Sequence, residues 1–118
     1  MSKFLHADFD KLVEETVAQI KTLSDLKGGE YAGDNDRLAN FRRNGDNLGI
    51  PMEVIWYVYT AKHWDAIAQY VRDLSEGKTR QRLESLSERF DDLIVYAILG
   101  KAMLIERERE TTTQHHPV

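Results

Sequence analysis

Four carboxylates lie close together in the segment LESLSERFDDLIVY, residues 83–96, at Glu84, Glu88, Asp91 and Asp92. In a helix that turns by about 100° per residue, Glu88 lies about 40° from Glu84, and Asp91 lies about 20° from it on the other side. Converging carboxylates repel one another unless a cation neutralises them, and Mg²⁺ or Mn²⁺ suits such oxygen ligands. The spacing indicates either a metal site for phosphate-ester chemistry, in which the metal activates water, or an acidic face in solvent.

The same helix face becomes apolar after the acids, at Val95, Leu99 and Ala102. An apolar face of this kind is typical of a helix that packs into a bundle. We therefore expect the four carboxylates to lie at the mouth of a cleft.

A second concentration of charge lies in the segment KGGEYAGDNDRLANFRRNG, residues 27–45. Acidic and basic side chains surround Leu38 and Phe41 there. The charged residues after the first lysine are Glu30, Asp34, Asp36, Arg37, Arg42 and Arg43. A connection between helices needs only a few polar residues, so this segment is a candidate for a functional role. For Arg42 and Arg43, simple solvation is the alternative.

Three long helices are predicted to position these groups. The first covers residues 8–26, where apolar residues recur in steps of three and four, with Asp8 as its N-cap and Gly28 just past its end. The second covers residues 51–74 and begins at a proline, which suits a first helical position. The third begins at Gln81 and ends near the segment IERERE, in which RERE is expected to be exposed and self-paired.

A short helix is also expected around Leu38 and Phe41. Asp34 or Asp36 is a candidate for its N-cap, because either carboxylate can accept a hydrogen bond from the first turn. The following NGDNLG segment is expected to break the helix, since asparagine and glycine favour turns.

Length and composition predict one globular domain over residues 1–118, with flexible ends at 1–7 and 109–118. A net charge of −4 with mixed signs argues against a nucleic-acid-binding surface. The chain has no cysteine, which excludes disulfides and thiolate chemistry and suits the cytosol. No segment has the apolar length of a signal peptide or a membrane span. We therefore expect a cytoplasmic protein without membrane or direct nucleic-acid partners.

The third helix contains DLIVYAILGKAML, residues 92–104, which is apolar almost all round. Two other helices in a small chain cover only part of that circumference. We therefore predict an all-α bundle of three long helices that is completed by oligomerisation, most simply as a homodimer.

Spaced residues in the 27–45 segment, the second helix and the third helix together resemble a family of small phage and prophage proteins. This family is grouped with the all-α MazG-like nucleotide pyrophosphohydrolases, alongside the phage nucleotide-modification-associated domains. The resemblance covers residues 22–107. Its elements are a lysine–glycine–acid–tyrosine run, a DRLxNF run, a KH pair, and a glutamate–arginine–aspartate–tyrosine series in which Val95 replaces an asparagine. The matching residues are Lys27, Gly28, Glu30, Tyr31, Asp36, Arg37, Leu38, Asn40, Phe41, Lys62, His63, Glu84, Arg89, Asp92 and Tyr96.

The resemblance implies hydrolysis of a nucleoside triphosphate, in the first place a deoxynucleotide, to monophosphate and pyrophosphate with Mg²⁺, or with Mn²⁺. It implies a bundle like that of MazG, in which the 27–45 segment closes one end of a nucleotide cleft. The metal-binding acids it implies are Glu30, Glu84, Glu88 and Asp92, and Asp91 joins them through its spacing from Glu88. The catalytic acids would be Glu84, Glu88 and Asp92. The substrate-binding residues would be Tyr31, Arg37, Asn40, Phe41, Lys62, His63, Arg89 and Tyr96.

Alternative interpretations stay open for His63 and for the function. His63 lies on the apolar stripe of the second helix, where a core histidine bonded to a neighbour is common, although Lys62 beside it also suits a site. Trp56, Tyr59 and Tyr70 are expected in the core rather than in a base-stacking platform. The alternative function is a phage-type regulatory protein that binds a nucleotide or a host protein without catalysis, and a purely structural helical adaptor is the third candidate.

Overall fold

The computed structural model describes residues 2–27 and 35–114. These residues form four helices, and they contain no strand, which confirms the predicted all-α class. The helices are α1 His6–Lys27, α2 Ala39–Leu48, α3 Met52–Ser75 and α4 Leu86–Gln114. The chain divides into two compact units, Met1–Arg37 and Leu38–Val118. The first unit contains α1, and in the second unit α3 packs against both α2 and α4.

Helix α1 begins at His6, two residues before the predicted start, so Asp8 is not its N-cap. The Leu5 carbonyl accepts the first helical hydrogen bond, from the Phe9 backbone N–H at 3.0 Å. Asp8 lies within the first turn, and its Oδ2 accepts a hydrogen bond from the Leu5 N–H at 2.9 Å. A carboxylate in this position stabilises the helix start from inside and interacts favourably with the helix dipole.

Helix α2 continues through the NGDNLG segment, so the predicted break before Gly49 is wrong. Gly49 has a φ of 67° and ends the helix. The Ile50 N–H donates to the Gly45 carbonyl at 3.0 Å, and the Gly49 N–H donates to the Asp46 carbonyl at 3.2 Å. These two bonds form a Schellman motif, which satisfies carbonyls that a helix end leaves unpaired. A Cβ at Gly45 would lie 2.8 Å from the Ile50 carbonyl oxygen, so the turn requires glycine there too.

The prediction that Asp36 is the N-cap of α2 is also wrong. Leu38 occupies the N-cap position, without a side-chain hydrogen bond to the first turn, and Asp36 lies two residues earlier. Asp34, the other candidate, lies outside the described residues. Leu38 is only 5% exposed, so burial in the core, and not capping, determines which residue precedes α2.

Helix α4 begins at Leu86 and not at Gln81. Ser85 Oγ accepts a hydrogen bond from the Glu88 N–H at 3.1 Å, and the Ser85 carbonyl accepts one from the Arg89 N–H at 3.2 Å. Ser85 is therefore the N-cap, and its hydroxyl satisfies a donor of the first turn. Glu84 precedes the helix, so the angular spacing predicted for it does not apply.

The core of the second unit lies where α2, α3 and α4 meet. Its buried members are Leu38, Phe41, Met52 and Met103, and Met103 is fully inaccessible. Trp56 packs beside them, and a Cβ at Gly100 would lie 2.4 Å from its Cζ2 atom. The indole N–H of Trp56 also donates to the Tyr96 carbonyl at 2.7 Å. A glycine in α4 thus lets the indole ring pack directly against the helix backbone.

Two ion pairs tie the end of α4 to α2 and α3, and one of them shows that Arg107 of the RERE segment pairs with another helix. Arg42 of α2 makes a two-pronged contact with Glu106, at 2.7 and 3.0 Å. Arg107 makes a similar contact with Glu53 of α3. Both pairs are partly exposed, so each contributes about 1 kcal/mol or less to the free energy of unfolding. Their effect is to orient the last turns of α4.

The described parts of the predicted flexible ends are largely helical. Helix α1 includes residues 6–7, and α4 continues through residues 109–114. Among the described helices, not one combines the length and apolar character that a membrane crossing requires.

Candidate functional site

A compact group of polar side chains lies between α3 and the start of α4. We call it the His63 cluster, and its members are His63, Glu84, Arg89, Asp92 and Tyr96. Arg89 Nη1 lies 3.0 Å from His63 Nδ1, and Arg89 Nε lies 3.5 Å from Glu84 Oε2. His63 Nδ1 also lies 3.6 Å from Asp92 Oδ2. All five residues were predicted as site residues, and the structure brings them together.

The protonation of His63 follows from these contacts. Burial lowers the pKa of His63 below its usual 6.5, Asp92 opposes this change, and Arg89 reinforces it. An arginine guanidinium can only donate, so Nδ1 must accept the hydrogen bond from Arg89. The imidazole is therefore neutral at pH 7, with its proton on Nε2. The 3.6 Å approach of His63 to Asp92 is then a polar contact and not an ion pair.

An aromatic wall adjoins the cluster. The rings of His63 and Tyr96 have centroids 5.3 Å apart, and Phe41 lies 6.3 Å from Tyr96 and 6.0 Å from Tyr59. Burial raises the pKa of Tyr96 above its usual 10.0, with a further contribution from Asp92. Tyr96 therefore keeps its hydroxyl proton across the physiological pH range. Tyr59 was expected in the core, but it is 40% exposed at the edge of this wall.

The predicted metal-binding acids separate into two groups. Glu84 and Asp92 belong to the His63 cluster through Arg89 and His63. Glu88 is exposed and Asp91 is half-buried, and neither side chain takes part in the contacts that define the cluster. Glu30 lies outside the described residues.

The donor chemistry of the cluster fits Mg²⁺ in part. Within residues 2–27 and 35–114, no three acidic or histidine side chains gather closely enough to hold a metal ion. Mg²⁺ is, however, commonly held by one or two carboxylates together with substrate phosphates. Glu84 and Asp92 supply carboxylates of that kind, and a bound triphosphate would supply the remaining oxygens.

The predicted substrate-binding residues outside the cluster occupy varied positions. Lys62 is exposed on α3 next to His63, and its charge contributes to lowering the pKa of His63. Asn40 bonds within its own helix, because its Oδ1 accepts from Arg43 Nη2 at 3.1 Å. Arg37 is exposed and belongs to the unit that contains α1. Tyr31 lies outside the described residues.

A second polar cluster, which the sequence did not predict, holds the loop between α3 and α4. Asp73 is only 2% exposed and accepts hydrogen bonds from Gln69, Arg80 and Arg82 at 2.8 to 3.2 Å. The hydrogen bonds from Arg80 and Gln69 hold the pKa of Asp73 well below its usual range. Arg82 also lies 5.5 Å from the centre of the Tyr70 ring. This anchor fixes the segment that carries Glu84 into the His63 cluster.

A capping signal was available in the sequence for this region. The residues from Ser85 to Glu88 read S-x-x-E, which is typical of a helix start. That motif places the start of α4 after Glu84 and predicts a loop long enough to need an anchor. The contact between Asp73 and the two arginines has no such local signal, because helical periodicity describes only α3 itself.

The arrangement places a permanent cation beside an aromatic surface. Arg89 supplies a planar, permanently charged donor, the Nε2–H of His63 supplies a neutral donor, and the aromatic wall supplies an apolar surface. Carboxylates flank Arg89, so an anion that binds here would need a metal ion beside it or would displace the existing ion pair with Glu84. In comparisons of the chain with protein-family models, with curated proteins and with solved structures, nothing matches.

Proposed function

We propose that the protein is a Mg²⁺-dependent nucleoside triphosphate pyrophosphohydrolase of MazG-like architecture. It would hydrolyse a nucleotide, in the first place a deoxynucleotide, to the monophosphate and pyrophosphate. The observation that supports this proposal is the convergence of His63, Glu84, Arg89 and Asp92 from α3 and from the start of α4. These residues were predicted as site residues from separate parts of the sequence.

The chain's own residues have distinct roles in this proposal. Asp92 and Glu84 would hold the metal, which when bound neutralises phosphate charge and lowers the pKa of water. Arg89 and Lys62 would bind the β- and γ-phosphates. Water would attack the α-phosphorus and lose a proton to the solvent, the bond from the α-phosphorus to the bridging oxygen would break, and pyrophosphate would leave.

The aromatic wall and His63 would position the rest of the nucleotide. Tyr59 and Tyr96 would provide the surface on which a base can stack, and Phe41, which is 7% exposed, would support their rings from the core. The Nε2–H of His63 would donate to a phosphate or sugar oxygen, because Arg89 already occupies Nδ1. Self-association would complete the bundle, since the packed helices of the second unit leave large apolar side chains exposed.

A second function is favoured by a specific contact. Arg89 already pairs with Glu84 and bonds to His63, so part of the cluster's charge is neutralised without a metal ion. An arrangement of this kind suits a protein that binds a nucleotide, or a host protein, without turning a substrate over. The two functions share the same residues but differ in their products.

The experiment that separates them is a screen of all common ribo- and deoxyribonucleoside triphosphates with Mg²⁺ or Mn²⁺. Phosphate release is measured with and without added inorganic pyrophosphatase, and the products are separated by ion exchange. Monophosphate and pyrophosphate support the hydrolase, whereas diphosphate and phosphate contradict it. Tight binding in calorimetry without any turnover supports the binding protein. The absence of both binding and turnover contradicts the hydrolase and the nucleotide-binding protein, and leaves the host protein as the only partner under the second function.

Variants test whether the His63 cluster is responsible. Asp92→Asn should lower the rate roughly 10²-fold or more, because a metal ligand stabilises the transition state by several kcal/mol. Lys62→Ala should mainly weaken substrate binding, since it would hold phosphates outside the bond that breaks. Glu110→Gln makes the same charge change at an exposed position of α4 and should keep the parent rate.

A further inference from the structure

One face of α3 remains uncovered in the second unit although it is rich in large apolar side chains. Tyr57 is 66% exposed, Trp64 is 58% exposed and Val71 is 56% exposed. Exposed apolar residues that occur singly are normal on a protein surface, but a continuous row of them marks an interaction surface.

The row has the spacing of a coiled-coil seam. Its members recur in alternating steps of three and four residues, which keeps them on one side of a helix over several turns. They are Val54, Tyr57, Ala61, Trp64, Ala68 and Val71, and we call this row the α3 stripe. It contains no charged residue, and it extends for about 25 Å at about 1.5 Å per residue.

We infer that the α3 stripe binds the same stripe of a second copy of this chain, with the two helices antiparallel about a two-fold axis between Ala61 and Trp64. In this register Tyr57 faces Ala68 of the partner subunit, and Trp64 faces Ala61 of the partner subunit. Val54 faces Val71 of the partner subunit. Every layer then combines a large side chain with a small one, or two of middle size, as close packing requires.

The order of side-chain sizes distinguishes this register from a parallel one. A parallel pair places each residue opposite its own copy, so one layer contains two Trp64 side chains and another contains two Ala61 side chains. Such layers are alternately overfilled and hollow, and both defects are destabilising.

Charge at the edge of the α3 stripe agrees with the antiparallel register. The same register brings Glu53 opposite Arg72 of the partner subunit, at both ends of the symmetric pair. Glu53 is ionised, because its hydrogen bonds with Arg107 lower its pKa, and Arg72 of the partner subunit would be a second cation beside this carboxylate. Arg72 is exposed and positively charged. Opposite charges at the flanks of a helix pair set its orientation.

Helix α4 offers a competing exposed row, but it is interrupted. Phe90, Ile94 and Leu104 are 48%, 40% and 57% exposed, yet Lys101 lies in the same row between the last two. A lysine in the middle of a seam must lose its hydration when a partner covers it. The uninterrupted α3 stripe is therefore the better surface for a second copy, whether or not the protein hydrolyses nucleotides.

Light scattering at micromolar concentration tests the surface with two matched variants. Trp64→Glu changes the centre of the α3 stripe, and Ile98→Glu makes the same kind of change at an equally exposed site on α4, since the two residues are 58% and 57% exposed. We expect the parent and Ile98→Glu to be dimers and Trp64→Glu to be a monomer with unchanged helical circular dichroism. A monomeric parent, or a dimer that only Ile98→Glu dissociates, overturns the inference.

Disulfide cross-linking tests the register, because the chain has no cysteine of its own. Val54→Cys/Val71→Cys places two thiols about 26 Å apart along one helix, so they cannot bond to each other within a chain. In the antiparallel dimer the thiol at position 54 faces the thiol at position 71 of the partner subunit, so oxidation should yield a covalent dimer. Each single variant should stay unlinked. A single variant that links to its own copy, or a double variant that does not link, overturns the antiparallel register.

Discussion

Arg89 donates a hydrogen bond to His63 across 3.0 Å, and this contact joins the start of α4 to the middle of α3. Because the guanidinium keeps its charge at any physiological pH, it sets which nitrogen of the imidazole carries the proton. Protonation of His63 would break this bond and place two cations side by side. The structure of the cluster therefore depends on a neutral histidine.

Stability should for this reason decrease in mild acid. The folded-state pKa of His63 lies below its usual 6.5, so between these two values the unfolded chain binds more protons than the folded chain. The His63 contribution to the free energy of unfolding is fully present above pH 6.5 and is lost as the pH falls toward the folded-state pKa. We expect His63→Gln to reduce the slope of melting temperature against pH in this window. His6→Gln, at an exposed position, should leave the slope unchanged.

Metal binding should raise the melting temperature if Glu84 and Asp92 hold Mg²⁺. A ligand that binds only the folded state at ten times its Kd adds about 1.4 kcal/mol to the free energy of unfolding. We expect Glu84→Gln and Asp92→Asn to remove this increase without changing helicity, while Glu110→Gln keeps it. If both cluster variants respond to Mg²⁺ like the parent, the two acids serve the contacts with His63 and Arg89 and do not hold a metal ion.

Gly100→Ala should destabilise the protein although alanine favours helices by about 1 kcal/mol over glycine. The new Cβ would lie 2.4 Å from the Trp56 ring, which must move out of the core. Overpacking of this kind costs about 1–3 kcal/mol, measurable by urea denaturation. Combining the change with Trp56→Phe should recover part of the loss. If the losses of stability from the two single changes simply add in the double variant, the close approach of Gly100 and Trp56 is unimportant.

Asp73→Asn should loosen the segment before α4. The change removes the charge that Arg80 and Arg82 share, so hydrogen exchange in residues 76–85 should become faster and the melting temperature should fall. The stability due to ionised Asp73 is present above the usual carboxyl pKa and is lost only in strong acid, because its folded-state pKa is lowered. Asp65→Asn, an exposed acid of the same helix, serves as the control and should change neither quantity.

Helical periodicity predicted α1 and α3 well, because each has an apolar row in one register. The predicted helix starts were wrong where a local hydrogen bond, and not the apolar pattern, determines the first turn. At Asp8, for example, the side chain accepts a hydrogen bond from the Leu5 N–H. The same applies to Ser85, which caps α4, so that the helix begins at Leu86, five residues after the predicted start at Gln81.

Long-range contacts explain what was missed in the site. Asp92 and His63 were predicted from spaced residues, and the crossing of two helices brings them together. Pairs such as Arg42 with Glu106 depend on that crossing angle, which no periodicity within one helix encodes. The crossing of the helices also explains why Asp92 contacts His63 whereas Glu88 is exposed.

The tight turn at Gly49 has a consequence for the order in which the chain folds. Only residues 49–51 separate α2 from α3, so the entropy lost on closing this loop is small, and the two helices can meet within microseconds. Helix α4 must instead bring Gly100 against Trp56 across a much longer separation in sequence. We expect the α2–α3 hairpin to be structured in the transition state and α4 to dock afterwards. Mutations at Gly45 should then slow folding, whereas mutations at Gly100 should mainly accelerate unfolding.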